Sequence, residues 1–340
     1  MGLKPEEACE RLRKYLVEVA GCAVEVSGIQ RLSGGAIQEN WTVQVNVADG
    51  EWAGDHQLVL RKDAASGVAA SHGREREFAL LKAAHRAGVK VPEPCFLCDD
   101  PDVLGAPFFL MHQVRGEAAG HRLIKQGENT DLARELGRQL ARIHKIVAPR
   151  DDLGFLGPPP MDPAAAAIER YRVDLDALGS PMPVLEWGLA WLQRQAPEPD
   201  PGGIVLCHRD YRTGNYMVAD GKLTGILDWE FAGWGDFHED IAWFCAKCWR
   251  FGASDFEAGG IAGRDPFYDG YCEESGRTID PGRIAYWEVM AHVRWAVIAA
   301  QQAVRHLSGA EPSLELALTG HVVPELELEI LNMTKEQSHG

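Results

Sequence analysis

The period of apolar and polar positions changes along the chain. Residues 5–20, PEEACERLRKYLVEVA, carry apolar side chains at helical spacing, and Gly21 closes the predicted helix. The period then shortens to two. AVEVSGIQRL, NWTVQVNV and QLVLRK alternate as strands do, joined by the turn signals SGG and DGEWAGD. Helical spacing returns from Arg74 to Ala87, ending at Gly88, and VPEPCFLC and PFFLMHQV read as further strands. Residues 1–115 therefore predict a small sheet with one inserted helix, an α+β pattern.

The rest, residues 116–340, predicts a larger and mainly helical domain. Asp131 to Ile146 sets Leu132, Leu136, Leu140 and Ile143 on one stripe, with Asn129 or Thr130 as cap. Asp162 as N-cap and Pro163 at the first helical position open AAAAIERYRVDL after the loop PPPMDP. A second loop, PEPDPGG, precedes a stretch of mixed character, and helical patterns resume at Asp240 and from Arg283 to Leu307. There is no internal repeat. A sheet-rich lobe followed by a helical lobe is the expected architecture.

Composition narrows the function. The 340 residues are 46% hydrophobic and 25% charged, ordinary for a globular chain. A formal net charge of -16 argues against nucleic acid or an anionic membrane as a general partner, while leaving room for a local basic pocket. MGLKPEEACERL has no apolar leader, Glu6 breaks the myristoylation pattern, and Trp295 to Ala300 is too short to span a bilayer. The expected location is cytoplasmic. Two C-x-x-C pairs, Cys95/Cys98 and Cys245/Cys248, raise a zinc site. The first follows VPEP on a strand and the second shares one face of a helical pattern, so both read as structural thiols.

The mixed stretch is LCHRDYRTGNYMVADGKLTGILDWE, Leu206 to Glu230. GGIVLC reads as a buried strand delivering His208-Arg209-Asp210 into a loop. Asn215 starts NYMV, the Asp-Gly turn at 220–221 reverses it, and KLTGIL returns to Asp228. Turn and capping roles account for one such polar residue easily, but not for Asp210, Asn215 and Asp228 together. Phosphoryl transfer accounts for all three. Its charge lies on oxygens, so one carboxylate orients the attacking hydroxyl, another holds Mg²⁺, and a neutral amide adds a metal ligand. His208, Arg209, Asp210 and Asn215 match H-R-D-x-x-x-x-N, and Asp228 stands where D-F-G would begin.

Trp229 and Glu230 replace the Phe-Gly, and GWGDFHEDIAWF follows where a protein kinase would have an activation segment. In this form the sequence resembles the aminoglycoside phosphotransferase and choline kinase superfamily, over nearly the whole chain. RLSGGAIQENW, LVLRK, REREFALLKAA, LGAPFFLMHQVRGE, CHRDYRTGNYMV, LDWEFAGWGDFHEDIAW and RHLSG carry the resemblance. Within the superfamily it looks most similar to the kinase-like branch also found joined to acyl-CoA dehydrogenases. The resemblance implies a two-lobe protein-kinase-like fold that uses ATP and Mg²⁺ to phosphorylate a hydroxyl on a small molecule. It makes Asp210 the catalytic base and Asn215 and Asp228 the metal ligands. Asp240 would brace the catalytic loop beside His208, although a helix N-cap is an equal reading of that residue.

The same resemblance places Arg61 where kinases carry a strand lysine. Lys62 is its neighbour, and alternation sends the two to opposite faces. For the acidic partner, periodicity leaves Glu75 and Glu77 open, and the family motif favours Glu77. Ser33, Gly34 and Gly35 become phosphate-facing backbone by their place before LVLR, and adenine is expected on the backbone of residues 111–114, at His112 and Val114. The acceptor is less legible. A cationic aminoglycoside would want carboxylates such as Asp236, Glu239, Glu273, Glu274 and Glu288. A hydroxylated acyl compound would want an apolar or basic pocket, with His292, Arg294 and Arg305 available. The alternative from another class is a nucleotide-binding, pseudokinase-type regulator without turnover, supported by the arginine at position 61.

Overall fold

The computed structural model describes residues 5–32, 38–63 and 71–335. They fall into two compact units that do not follow a single cut in the chain. The first comprises residues up to Gly116 with Asp151–Phe155 and Met217–Phe231, and the second the remainder.

The first unit is built on a five-stranded antiparallel sheet. Helix α1 (Pro5–Ala20) leads into β1 (Val24–Arg31), β2 (Gln38–Val47) and β3 (Gly54–Asp63). Helix α2 (Arg74–Arg86), β4 (Pro94–Cys98), the single turn α3 (Pro101–Leu104) and β5 (Phe108–His112) complete it, in the order β1-β2-β3-β5-β4. Side-chain alternation divides the sheet into two faces. Val43, Val45, Leu58, Leu60 and Leu110 bury against Leu12 and Leu16 of α1. Arg61 pairs in register with Phe109, whose ring lies 5.7 Å from that of Phe78 on α2. Arg61 therefore lies on the α2 side.

The second unit is helical, as the apolar stripes predict. After α4 (Gly120–Leu123), α5 (Thr130–Ile143) opens on Asn129, whose side chain accepts from the Leu132 N–H. The predicted stripe Leu132, Leu136, Leu140 and Ile143 is buried. Helix α6 (Pro163–Leu178) opens on Asp162, which accepts from Ala165, and α7 (Pro183–Arg194) follows. Then come β6 (Ile204–Cys207), the hairpin of β7 (Tyr216–Ala219) and β8 (Lys222–Ile226), which from Met217 onward groups with the first unit, and β9 (Gly233–Asp236), which pairs antiparallel with β6. At the hairpin turn Asp220 and Gly221 both have positive φ, the geometry that Asp-Gly favours. Helices α8 (Phe237–Cys245), α9 (Arg264–Ser275), α10 (Pro281–Leu307), α11 (Leu314–Gly320) and α12 (Val323–Lys335) finish the chain. Among the described residues no helix is long and apolar enough to cross a membrane.

Three local expectations are corrected. Helix α8 starts three residues before Asp240 and is capped by Asp236, which accepts from the His238 N–H, so Asp240 is not the cap. It also ends at Cys245, because Ala246 turns to ψ 140°, so Cys248 lies in a separate turn and not on a shared helix face. The strand β9 was not foreseen, since GWGD has neither alternation nor β-branched residues.

Candidate active site

The catalytic-loop motif lies in the second unit. Strand β6 ends at Cys207, and the next two backbone N–H groups, of His208 and Arg209, donate to Oδ2 and Oδ1 of Asp240 at 2.6 and 2.7 Å. Arg209 takes a left-handed φ of 64°, a conformation that costs a β-carbon residue about 1–3 kcal/mol. Asp240 compensates for that strain. It is fully buried, and its third partner is His144, whose Nε2 lies 3.1 Å from Oδ2 while Nδ1 meets the Tyr271 hydroxyl at 2.9 Å. Burial raises the Asp240 carboxyl, but the His144 hydrogen bond and nearby positive charge outweigh it and hold the group below its ordinary value. His144, Cys207 and Asp240 also bring three metal-ligand types together. Their polar atoms are already engaged with backbone and with each other, which makes the group a buried brace.

Asp210 follows on this braced loop. Its N–H donates to His208 Nδ1 at 3.2 Å. Oδ1 accepts from Arg212 Nε at 3.0 Å and from Trp243 Nε1 at 3.2 Å. Asn215 Nδ2 donates to the Asp210 carbonyl at 2.9 Å and also to Oδ2. With Nδ2 so engaged, Asn215 keeps its side-chain carbonyl oxygen for another partner.

Arg61, the residue expected as anchor, lies in the first unit. Arg61 is buried, and its Nε reaches Glu77 Oε1 at 2.9 Å while Nη2 reaches Asp228 Oδ1 at 2.7 Å. These carboxylates hold the guanidinium above its ordinary value against the opposing effect of burial. Glu75 is exposed and Glu77 buried, so the structure separates two residues that periodicity could not. Lys62, on the opposite face, meets Glu39 at 3.2 Å and is part-exposed.

Asp228 has a φ of 62° and leaves its carboxylate 34% exposed. One oxygen faces Arg61, and hard oxygen donors of this kind suit Mg²⁺, as does the Asn215 carbonyl. Two further residues belong to the network and were missed in the sequence. Arg74 pairs with Glu77, with Asp63 at 2.8 Å and with Glu230 at 3.8 Å. Burial, with the Asp228 and Glu77 charges, pushes the Glu230 carboxyl up to about 7 against Arg61 and Arg74. The signal for Glu230 was present as a second carboxylate two residues after Asp228.

Ser33, Gly34 and Gly35 lie outside the described residues. At the end of β5 and just after it, the N–H groups of His112 and Gln113 donate to the Glu93 and Gln57 carbonyls at 2.8 and 2.9 Å. Both donors are therefore engaged within the first unit.

The carboxylates suggested for a cationic acceptor are all committed elsewhere. Asp236 holds His238 and Arg283, and Glu239 holds Arg209 and Arg294. Glu273 holds Arg134 and Arg138, Glu274 holds Arg142 and Lys145, and Glu288 holds Arg264. The suggested basic groups fare the same way. Arg294 packs over Trp243, Arg305 pairs with Glu311, and His292 is buried against the Glu288 carbonyl.

Comparison with known proteins places the chain. Residues 28–287 match the model of the phosphotransferase enzyme family, and the chain belongs to that family. Acyl-CoA dehydrogenase family member 10 of Mus musculus is 30% identical over 217 residues, covering 61% of this chain and 19% of that protein. Family member 11 of Pongo abelii is 24% identical over 297 residues, covering 82% of this chain and 37% of that protein. The chain thus spans well under half the length of these relatives. Among solved structures, a candidate aminoglycoside phosphotransferase from Ralstonia eutropha aligns with a TM-score of 0.76 at 21% identity, covering 96% and 98% of the two chains. Spectinomycin phosphotransferase APH(9)-Ia, solved with ADP and spectinomycin, aligns at 0.65 with 15% identity, covering 98% and 99%. These likenesses show the fold, a two-lobe kinase-like α+β architecture.

Proposed function

We propose that the protein transfers the γ-phosphate of ATP to a hydroxyl of a small molecule. The observation that carries this reading is the Glu77–Arg61–Asp228 chain of ion pairs, in a family member that also has Asp210 and Asn215 on a braced loop. In this reading Arg61 grips phosphate oxygens and Glu77 aims it, with Arg74 fixing Glu77 from the other side. Asp210 orients the acceptor hydroxyl and takes its proton as the phosphoryl group leaves ADP. Asn215 and Asp228 would hold Mg²⁺, which when bound neutralises charge on the phosphate oxygens. Ser33, Gly34 and Gly35 would face the phosphates, and the backbone at His112 and Val114 would take the base. Because His112 N–H already donates to Glu93, its carbonyl and the Val114 N–H are the groups left for that task.

The acceptor is proposed to be a hydroxyacyl compound, a reading supported by the acyl-CoA dehydrogenase relatives. Pairing within the chain does not separate it from an aminoglycoside, because the carboxylates and the basic groups expected for the two are committed alike. A screen of hydroxylated metabolites for acceptor-stimulated ADP formation tests the reading. Hydroxylated acids or neutral alcohols should stimulate ADP release more than aminoglycosides do. Stimulation by aminoglycosides alone would reverse the acceptor assignment. The second reading, nucleotide binding without turnover, is favoured by one contact, the Arg61 guanidinium on the carboxylate proposed for Mg²⁺. No ADP formation with any acceptor would support it.

A further inference from the structure

The second unit holds a group of aromatic and basic side chains that the phosphotransfer reading leaves unused. Trp249, in the turn after α8, packs against Trp243 of α8 and Trp295 of α10, with ring centroids 5.0 and 4.8 Å away. Two guanidinium groups lie over these rings, Arg212 over Trp249 at 4.6 Å and Arg294 over Trp243 at 4.3 Å. An indole attracts cations to its face and donates a hydrogen bond from its edge. Trp243 does both. It is buried, its face holds Arg294, and its Nε1–H is directed to Asp210 Oδ1 at 3.2 Å.

The lone pairs of Asp210 show what this bond does. An ionised carboxylate offers about four acceptor sites, two on each oxygen. Both sites of Oδ1 are filled, by Trp243 Nε1 and by Arg212 Nε at 3.0 Å. Oδ2 takes Asn215 Nδ2 and keeps one site. That remaining site is the one open to an acceptor hydroxyl. Arg212 is 26% exposed on a long, rotatable stem, whereas the buried indole has one place to be. Trp243 is therefore the firmer of the two donors that fix which oxygen stays open. Arg294 supports it from above. Glu239 lies 3.7 Å from Arg294 Nη1 and 3.5 Å from Arg209 Nε on the catalytic loop, so the cation over the indole is tied to that loop. A positive charge on the ring face draws electron density from the indole and makes its N–H a better donor.

We propose that Trp243 is a positioning residue for Asp210: its N–H holds Oδ1, Arg294 fixes and polarises the indole, and Oδ2 is left to meet the acceptor. The role rests on the phosphotransfer reading. In that step the acceptor O–H bond breaks and its proton passes to Oδ2. The freed oxygen bonds to phosphorus as the bond from phosphorus to the ADP oxygen breaks. Trp243 takes no proton and touches neither substrate. Arg294, which the sequence offered as a basic group for an acyl acceptor, serves the base instead.

The test follows ADP formation from MgATP by the full chain, with water as acceptor and again with 3-hydroxybutyrate. Trp243→Phe keeps an aromatic ring and removes the N–H. Turnover should fall roughly 10- to 100-fold, the scale of a misplaced catalytic group, while MgATP affinity stays unchanged. In an Asp210→Asn background the same change should cost nothing further, because Trp243 acts through that carboxylate. A merely structural tryptophan would cost the same in both backgrounds. Arg294→Gln should lower turnover and Arg294→Lys should restore it, since lysine keeps the cation over the ring. Trp295→Phe should leave turnover unchanged, because Trp295 packs on Trp249 rather than on Asp210. Melting curves check that each variant folds; if Trp243→Phe does not, Arg294→Gln takes its place in both backgrounds. Undiminished turnover, or an equal loss in the Asp210→Asn background, overturns the role and leaves the phosphotransfer reading standing. An unaltered protein that forms no ADP overturns both.

Discussion

Arg61 holds two carboxylates on one buried guanidinium, which makes it the residue where the proposed role is most exposed to test. Changing Arg61 or Glu77 to alanine should weaken ATP far more than adenosine, since only ATP presents phosphates. The two changes should be non-additive by about 0.5–3 kcal/mol, the coupling expected within one ion-pair network. Lys62→Ala, which breaks only the part-exposed pair with Glu39, should be nearly neutral. A double-mutant cycle on ATP and adenosine affinity measures this. Damage from Lys62→Ala with Arg61→Ala harmless would move the anchor to Lys62. The brace makes a second residue-level prediction. Burial holds His144 below its ordinary 6.5, although Asp240 pulls it up. As pH falls below 6.5 the unfolded chain protonates this histidine before the folded one does, so the unfolded state binds more protons and stability declines. Asp240, a carboxyl with a depressed folded value, loses its contribution only at lower pH. Urea midpoints for His144→Gln should therefore fall less between pH 7 and pH 5 than those of the unaltered protein. An unchanged slope would remove His144 as its cause. At this scale much of the candidate set was legible, because H-R-D-x-x-x-x-N and the later Asp are spaced by chemistry. Glu230, Arg74 and His144 were not, because their roles arise from burial that local sequence does not report.

Elements were legible where a cap or an apolar stripe marked them. Asn129 and Asp162 cap α5 and α6 through their side chains, and Gly88 follows α2 with a φ of 76°. Helix α9 was missed because it buries only Phe267, Gly270 and Tyr271, a stripe too short to mark it, and glycine carries part of its packing. A methyl group on Gly270 would come 2.0 Å from the Arg134 carbonyl oxygen of α5, and one on Gly137 of α5 would come 2.1 Å from the Phe267 carbonyl oxygen. Each glycine lets the two backbones approach where no side chain fits. Gly270→Ala should therefore destabilise by about 1–3 kcal/mol through overpacking. Gly154→Ala, with open space around it, should not. Thermal or urea unfolding of both variants decides this, and equal stability of the two would show that the α5–α9 contact yields easily.

The whole molecule shows why the acceptor was harder to read than the reaction. Asp236, Glu239, Glu273, Glu274 and Glu288 stood in the sequence as carboxylates available to a cationic acceptor, yet they are bound to arginines, lysines or histidine of the same chain. Charge is counted in sequence, whereas its pairing is decided by the fold. The same holds for the grouping of residues 217–231 with the sheet-rich unit, a long-range association that no local pattern announces. The central claim remains that Asp210 serves the chemical step rather than nucleotide binding. It is tested by measuring MgATP affinity and acceptor-dependent ADP formation for Asp210→Asn beside the unaltered protein. The account expects affinity to stay within a few-fold while turnover falls by about 10²–10⁴. Turnover that survives the substitution would contradict it.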